Sequence, residues 1–400
     1  MLAEKNEREV ITLESEITIF SWHVPSGGLL KTIHEEYKFF KKRGYKVNVI
    51  FFMAQVPPYY DEIISDLQPV VITKSTKLNG PMNFLSQRTA SDAFGIPVKA
   101  FFSVSRLLLK SKQHVIAHEL ASGFSVFFYL IFNRNKVVVV LHDDPLSFAL
   151  LTTSGKLRIV TKLVKFSVKQ VLRLVKLLVA TTPSIKESLS KEIPSQTIVT
   201  AEYGINICDN VPDILDRKDV LVMTKWTRQR KPEKYLQIAR DLGKDIKLVL
   251  AGHWDEPSYL DAIKNMAEEL NSCGANIEIR NDLMESEVDA MYHNCRVFLR
   301  LSFFEKGTGQ GILDAIGHGC PLVIGRELGG LSGLEDEVHG YIVDSNNSED
   351  IVEKIRRIFE SNEVAQTFSS NVYKFATKHT WNDYGKALER VLFGGSDGNL

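Results

Sequence analysis

RLSFFEKGTGQGILDAIGHGCPLVI, residues 300–324, is the stretch on which the fold turns. Gly307, Gly309 and Gly311, with Thr308 among them, form a loop where backbone can come close to a ligand and φ can be positive. Ile312, Leu313, Ala315 and Ile316 then begin an apolar helical face, with Asp314 near its start. Gly317 and Gly319 stop that helix, and Pro321 opens the next strand, LVIG. Strand, glycine loop and helix start together make a site for an anion, because unpaired N–H groups and the helix dipole point the same way. A glycine loop alone is more often a tight turn that binds nothing, so its weight depends on its surroundings.

The surroundings agree. Upstream, VLVMTKW (220–226), KLVLAGH (247–253), IEIRN (277–281) and VFLRLS (297–302) read as buried strands separated by helical stretches. Downstream, GYIVD (340–344) precedes a helix, SEDIVEKIRRIFES. The first half repeats the pattern. ITIFSW (17–22) leads through Gly27 and Gly28 into LLKTIHEEYKFFKKRG, whose apolar residues fall at helical spacing, and VNVIFF (47–52) follows. VVIT (70–73) and HVIAHE (114–119) read as further strands, and GFSVFFYLIF (123–132) as a helix buried all round. VVVVLHDDP (137–145) is a central parallel strand, nearly all β-branched. It ends in His142, Asp143 and Asp144, at the edge where open α/β sheets bind ligands. There His142 is either a general base or hydrogen-bond donor to a sugar or phosphate, or an ordinary capped loop histidine. Strands alternating with helices predict doubly wound parallel sheets.

Four hundred residues exceed one core and predict two domains. The polar stretch 208–219 marks the linker. Lys+Arg and Asp+Glu both number 49, so no overall field draws in nucleic acid. Cys208, Cys273, Cys295 and Cys320 are far apart and lack CxxC or Cys/His spacing, which reads as reduced packing residues and no zinc site. The mixed-charge N-terminus is not a signal peptide, and no apolar run nears the ~20 residues that span a bilayer. A cytoplasmic protein is expected. Residues 156–179 stand apart: Arg158, Lys162, Lys165, Lys169, Arg173 and Lys176 form one basic helical stripe with no acidic residue among them. Such a helix lies on anionic lipid or packs on a core with a solvated lysine face, and the second is the commoner arrangement.

In order, these motifs resemble the retaining, nucleotide-sugar-dependent GT-B glycosyltransferases of family four, the glycosyl transferases group one type. Gly27–Gly28, RGYKV, LHDDP, ATTPSIKESL, YGIN, LVLAGH, SEVDAMYHNCRVFLRLS, GILDAIGHGCPLVIG and HTWNDYGKALERVL carry the resemblance, which covers most of the chain and is best in the second half. It implies two Rossmann-like domains facing across a cleft. The first is an acceptor-side domain over 1–210, onto which a C-terminal helix at 380–393 packs back. The second, 211–379, binds the nucleotide sugar, and 394–400 is a flexible tail. By the same resemblance Asp314 binds the ribose hydroxyls and Glu305 the transferred sugar, with eight residues between them where the family has seven. Lys225 with Arg230 or Lys231 clamps the diphosphate, helped by Gly27, Gly28, Gly307, Thr308 and Gly309. Arg280 and Asn281 hold the base, and His142 contacts the donor sugar near the anomeric carbon. No metal and no cofactor beyond the UDP- or GDP-sugar is implied.

The expected function is transfer of a sugar from a nucleotide-diphosphate donor to a glycan or lipid-linked acceptor with retention of configuration. The basic helix would place the enzyme peripherally at an anionic membrane face, and no nucleic acid is a partner. The irregular carboxylate spacing motivates an alternative, a catalytically weak relative serving as a nucleotide-sugar-binding or partner subunit. A sugar-nucleotide epimerase is a third reading.

Overall fold

The computed structural model describes residues 15–23, 28–53, 61–73, 113–119, 133, 136–146, 158–303, 308–328 and 330–394. The helix expected at 123–132 lies outside them, as do most of 55–100 and the tail from 395. Two sheets dominate, and every neighbouring strand pair in both is parallel. The first has seven strands: β1 (Glu16–His23), β2 (Lys46–Met53), β3 (Val70–Thr73), β4 (His114–His118), β5 (Val137–Leu141), β6 (Leu177–Ala180) and β7 (Thr197–Thr200). Their spatial order is β3-β2-β1-β4-β5-β6-β7. The second has six: β8 (Asp219–Met223), β9 (Lys247–Ala251), β10 (Ile277–Arg280), β11 (Cys295–Arg300), β12 (Leu322–Gly325) and β13 (Gly340–Val343), in the order β10-β9-β8-β11-β12-β13. The order reverses direction between β1 and β4 in one sheet and between β8 and β11 in the other. A crevice opens at the carboxyl ends of strands at such points. This is the two-domain GT-B arrangement of Rossmann-like sheets.

Local chemistry accounts for the elements. In β5, Val137–Val140 are all buried, which suits β-branched side chains in a strand covered on both faces. Helix α1 (Gly28–Lys42) and α2 (Asp61–Leu67) flank the first sheet with α3 (Arg158–Leu174) and α4 (Pro183–Glu192). Thr182 caps α4 by accepting from the Ile185 N–H at 3.3 Å, with Pro183 in the first turn. In the second domain α5 (Pro232–Leu242), α6 (Pro257–Ser272), α7 (Glu285–Asn294), α8 (Gln310–Gly317) and α9 (Ser348–Glu360) alternate with strands. No described helix is long and apolar enough to cross a membrane.

Three sequence expectations change. The basic helix ends at Leu174 rather than 179, because Leu177–Ala180 are buried as β6, so Lys176 sits in the intervening turn. Its stripe also lacks acidic partners only within its own segment: Glu192 of α4 pairs with Lys165 at 2.6 Å and Lys169 at 2.5 Å. The stretch 208–219 is no loose linker. Arg217 is 3% exposed and donates to the carbonyls of Pro212, Cys295 and His318, which fastens this segment to the second domain. A further helix, α10 (Asn362–Ala376), was not anticipated. Ser361 caps it by accepting from the Val364 N–H.

The last helix, α11 (Trp381–Phe393), crosses back to the first domain. Thr380 caps it through the Asp383 N–H at 3.1 Å. Glu389 accepts from Arg43 Nε at 2.7 Å and Tyr45 O–H at 2.8 Å, and buried Gly385 lies against the Phe39 ring of α1. A Cβ at Gly385 would fall well inside contact distance of that ring. Gly385→Ala is therefore expected to destabilise the protein by about 1–3 kcal/mol through overpacking. Urea unfolding measures this, and a change below about 0.5 kcal/mol would mean that α11 does not pack tightly on α1.

Candidate active site at the interdomain cleft

Both switch points open onto one cavity of about 480 Å³. From the first domain come Gly28 and Lys31 of α1, Glu119 after β4, His142 after β5, and Tyr203. The second domain contributes Thr224 and Lys225 after β8, Arg230, Gly252 after β9, Arg300 at the end of β11, and Thr308, Gly309 and Asp314 around the start of α8. The two helix N-termini approach closely here. A Cβ on Gly28 would come 2.7 Å from Cβ of Gln310, so only a residue without one fits as the backbone now runs.

The cations sit at the carboxyl end of β8. Arg230 donates to Thr224 Oγ1 at 2.6 Å and to the Lys225 carbonyl, and Lys225 pairs with Asp255 at 2.9 Å. Arg300 adds a third, 6% exposed, along the cavity wall. Asp314 presents its carboxylate from the first turns of α8, where Gln310 Nε2 donates to it at 2.8 Å and Lys31 reaches across the cleft to 3.7 Å.

A buried chain of hydrogen bonds backs the opposite wall. Tyr203 O–H meets His142 Nδ1, His142 Nε2 lies 2.8 Å from His118 Nδ1, and His118 Nε2 lies 2.9 Å from Glu36 Oε2. Tyr384 O–H of α11 donates to Glu36 Oε1 at 2.6 Å. With the Glu36 carboxyl accepting, His118 Nε2 carries a proton toward it, and the chain runs on through His142 to the Tyr203 hydroxyl. Burial, and secondarily the neighbouring His118, hold His142 well below the usual imidazole range, so it is neutral. Burial pushes the Tyr203 hydroxyl up, keeping it a donor.

Of the residues singled out in the sequence, Gly28, His142, Lys225, Arg230, Thr308, Gly309 and Asp314 line this cavity. Lys231 does not: in a left-handed turn with φ 46°, its ammonium lies 4.7 Å over the Phe303 ring. Arg280 and Asn281 stand beside the cavity, not on it. Arg280 pairs with Glu278 at 3.5 Å and Glu287 at 3.4 Å, while Asn281 donates to Asp282, which is the lining residue. Both ring nitrogens of His142 are engaged inside the protein. Gly27, Glu305 and Gly307 lie outside the described residues, and the side chains of Arg158 and Lys162 are likewise not described. Sequence reasoning missed Lys31, Glu119 and Arg300. For Arg300 a signal existed, a charge directly after the apolar run Val297–Leu299 of a central strand.

Residues 209–375 match the family profile described as glycosyl transferases group 1. The second domain belongs to that family. The group 1 domain thus contains Lys225, Arg230, Arg300 and Asp314, while the N-terminal domain supplies Lys31 and His142. Over nearly its full length the chain also resembles solved structures. Sucrose-phosphate synthase from Thermosynechococcus elongatus aligns with a TM-score of 0.75 and 15% identity over 96% of this chain and 100% of that one. Anabaena HepE in complex with UDP-glucose gives 0.71 and 12%, over 95% and 99%. A glycosyltransferase from Rickettsia africae gives 0.68 and 16%, over 96% and 100%. At such identities the likeness is one of fold. No curated protein matches the chain in sequence.

Proposed function

We propose that the cleft binds a nucleoside-diphosphate sugar and transfers its glycosyl group to an acceptor hydroxyl with retention of anomeric configuration. The supporting observation is the meeting of both switch points in one cavity, with three cations near the N-terminus of α8 and a carboxylate on that helix. The group 1 family of the second domain and the UDP-glucose held by Anabaena HepE point the same way. In the reaction, the bond between the anomeric carbon and the β-phosphate oxygen breaks and the acceptor oxygen bonds to the same face. The acceptor proton passes to the leaving diphosphate. Arg230, Lys225 and Arg300, with the α8 N–H groups, stabilise the charge growing on that leaving group. Asp314 receives the ribose hydroxyls once Lys31 and Gln310 yield its carboxylate. His142, neutral and tied back by both nitrogens, shapes the sugar pocket.

Calorimetric titration with UDP-, GDP- and ADP-sugars tests this, followed by an assay for donor cleavage. One donor should bind with a micromolar Kd, and Asp314→Ala should weaken it about tenfold or more by removing charged hydrogen bonds to the ribose. Absence of binding by the intact protein at millimolar donor would end the proposal. Binding without turnover would instead favour the partner-subunit reading.

The acceptor is proposed to be lipid-linked, with α3 resting on an anionic membrane. Phe166 stands 61% exposed beside Lys165 and Lys169, although both lysines are paired with Glu192. Vesicles containing anionic lipid should co-sediment the protein, and Phe166→Asp should reduce binding about tenfold by losing a buried ring. Equal sedimentation with neutral vesicles would remove the membrane from the account.

A further inference from the structure

Behind the cleft, Cys208, Asp289, His293 and His318 converge from three separate parts of the chain. One ligand atom from each lies within 4.8 Å of the others. Cys208 Sγ is 3.3 Å from His293 Nε2, His318 Nε2 is 2.9 Å from Asp289 Oδ1, and His293 Nε2 is 3.9 Å from Asp289 Oδ2. Tetrahedral zinc, with bonds of roughly 2.0–2.3 Å, sets its ligand atoms about 3.3–3.8 Å apart, which these atoms reach by small side-chain shifts. None of the four lines the donor cavity.

The orientation of His318 is what asks for a cation. Its Nδ1 lies 2.7 Å from the Asp314 carbonyl oxygen and donates a proton there. Nε2 is then left with a lone pair, and that lone pair faces a carboxylate oxygen. Two lone pairs at this distance repel unless a positive centre stands between them, either a second proton or a metal ion. A ring N–H held by a backbone carbonyl is also how a ligating histidine is usually fixed in its tautomer. A thiol and a second imidazole nitrogen complete the ring of donors, which a lone protonated histidine would not require. The thiol is held in place through its own backbone, because Cys208 N–H donates to the Gly317 carbonyl at 3.0 Å.

We propose that these four side chains form a closed site for one zinc ion, or a comparable transition metal of borderline softness. With four protein ligands and no open position, the metal is structural. It would clip the segment leaving the first domain, at Cys208, to α7 through Asp289 and His293 and to the end of α8 through His318. The only short-range sign in the sequence is the i, i+4 pair Asp289 and His293 on one helix face. The thiol arrives from 81 residues away, so cysteine spacing alone could not reveal it.

The test uses the full chain without a histidine tag, purified from zinc-supplemented medium. Elemental analysis should find about one zinc per chain, and reconstitution with Co(II) should give the visible bands of four-coordinate cobalt with a thiolate charge-transfer band. Cys208→Ser should abolish the charge-transfer band, and the Cys208→Ser, His293→Ala pair should abolish stoichiometric zinc. If the pair fails to fold, the cobalt spectrum of the native chain decides alone. Fewer than about one zinc per ten chains together with the spectrum of the aqueous cobalt ion would overturn the proposal and leave a protonated His318 paired with Asp289. Zinc retained unchanged by a folded double variant would overturn it equally.

Discussion

Arg230→Ala is expected to lower kcat/KM for donor cleavage by about 10²–10³, the usual effect of removing one fixed donor from a developing oxyanion. Arg230 acts twice. It brings charge to the cavity wall, and it holds the chain after β8 in shape by bonding Thr224 Oγ1 and the Lys225 carbonyl. Lys225→Ala should cost less, about tenfold, because its ammonium is half exposed and already shared with Asp255, where water screens it. The order of the two effects is thus part of the prediction. Steady-state kinetics on variants with native circular dichroism measures both. An Arg230→Ala enzyme within about threefold of the parent would show that the diphosphate does not sit at the end of β8.

Glu36→Ala should cost about 3–5 kcal/mol of stability. Glu36 and His118 are both fully buried, and the lost carboxyl would leave the His118 ring N–H and the Tyr384 hydroxyl without acceptors, beside a new cavity. Glu36→Gln keeps the volume and one acceptor, so its loss should be clearly smaller. Chemical denaturation separates them, and equal, small effects would mean that water replaces the carboxyl.

The same chain gives a pH dependence with a definite sign. His142 has its pKa lowered from an ordinary value of 6.5, chiefly by burial, so the unfolded chain takes up the proton first as pH falls. Stability from keeping His142 neutral is complete above about 6.5 and drains away toward its lowered value. His114 and His339, lowered chiefly by burial too, act in the same direction. Melting temperature should therefore drop on acidification from about pH 7 to 5, and less steeply in His142→Gln. A melting point that held steady or rose would contradict a neutral, buried His142.

The sheets were legible because buried parallel strands are apolar nearly throughout, as Val137–Val140 and Val220–Val222 illustrate. The glycine loop and Asp314 could be found because their chemistry lies within one short segment. The buried chain of hydrogen bonds could not. Glu36 stands in HEEYKFFKK, which reads as the wet side of an amphipathic helix, and its partners are 82 and 348 residues away. Lys31 escaped for a similar reason, since only the meeting of the domains brings it to Asp314. Lys231 was misplaced by its neighbours: in KWTRQRK the basic residues look interchangeable, yet one turn of backbone aims Arg230 inward and Lys231 onto Phe303.

The polypeptide passes between the domains twice, once after β7 and once before α11, and the passages touch. The Ile205 N–H donates to the His379 carbonyl at 2.9 Å, and Gly204 abuts Trp381 closely enough that a side chain there would collide with it. Two pins set side by side make a door hinge, where a lone strand would make a ball joint. Twisting or sliding one half past the other would stretch that bond and drive Gly204 into Trp381. The paired crossings thereby hold the two halves in the register that sets Lys31 opposite Asp314.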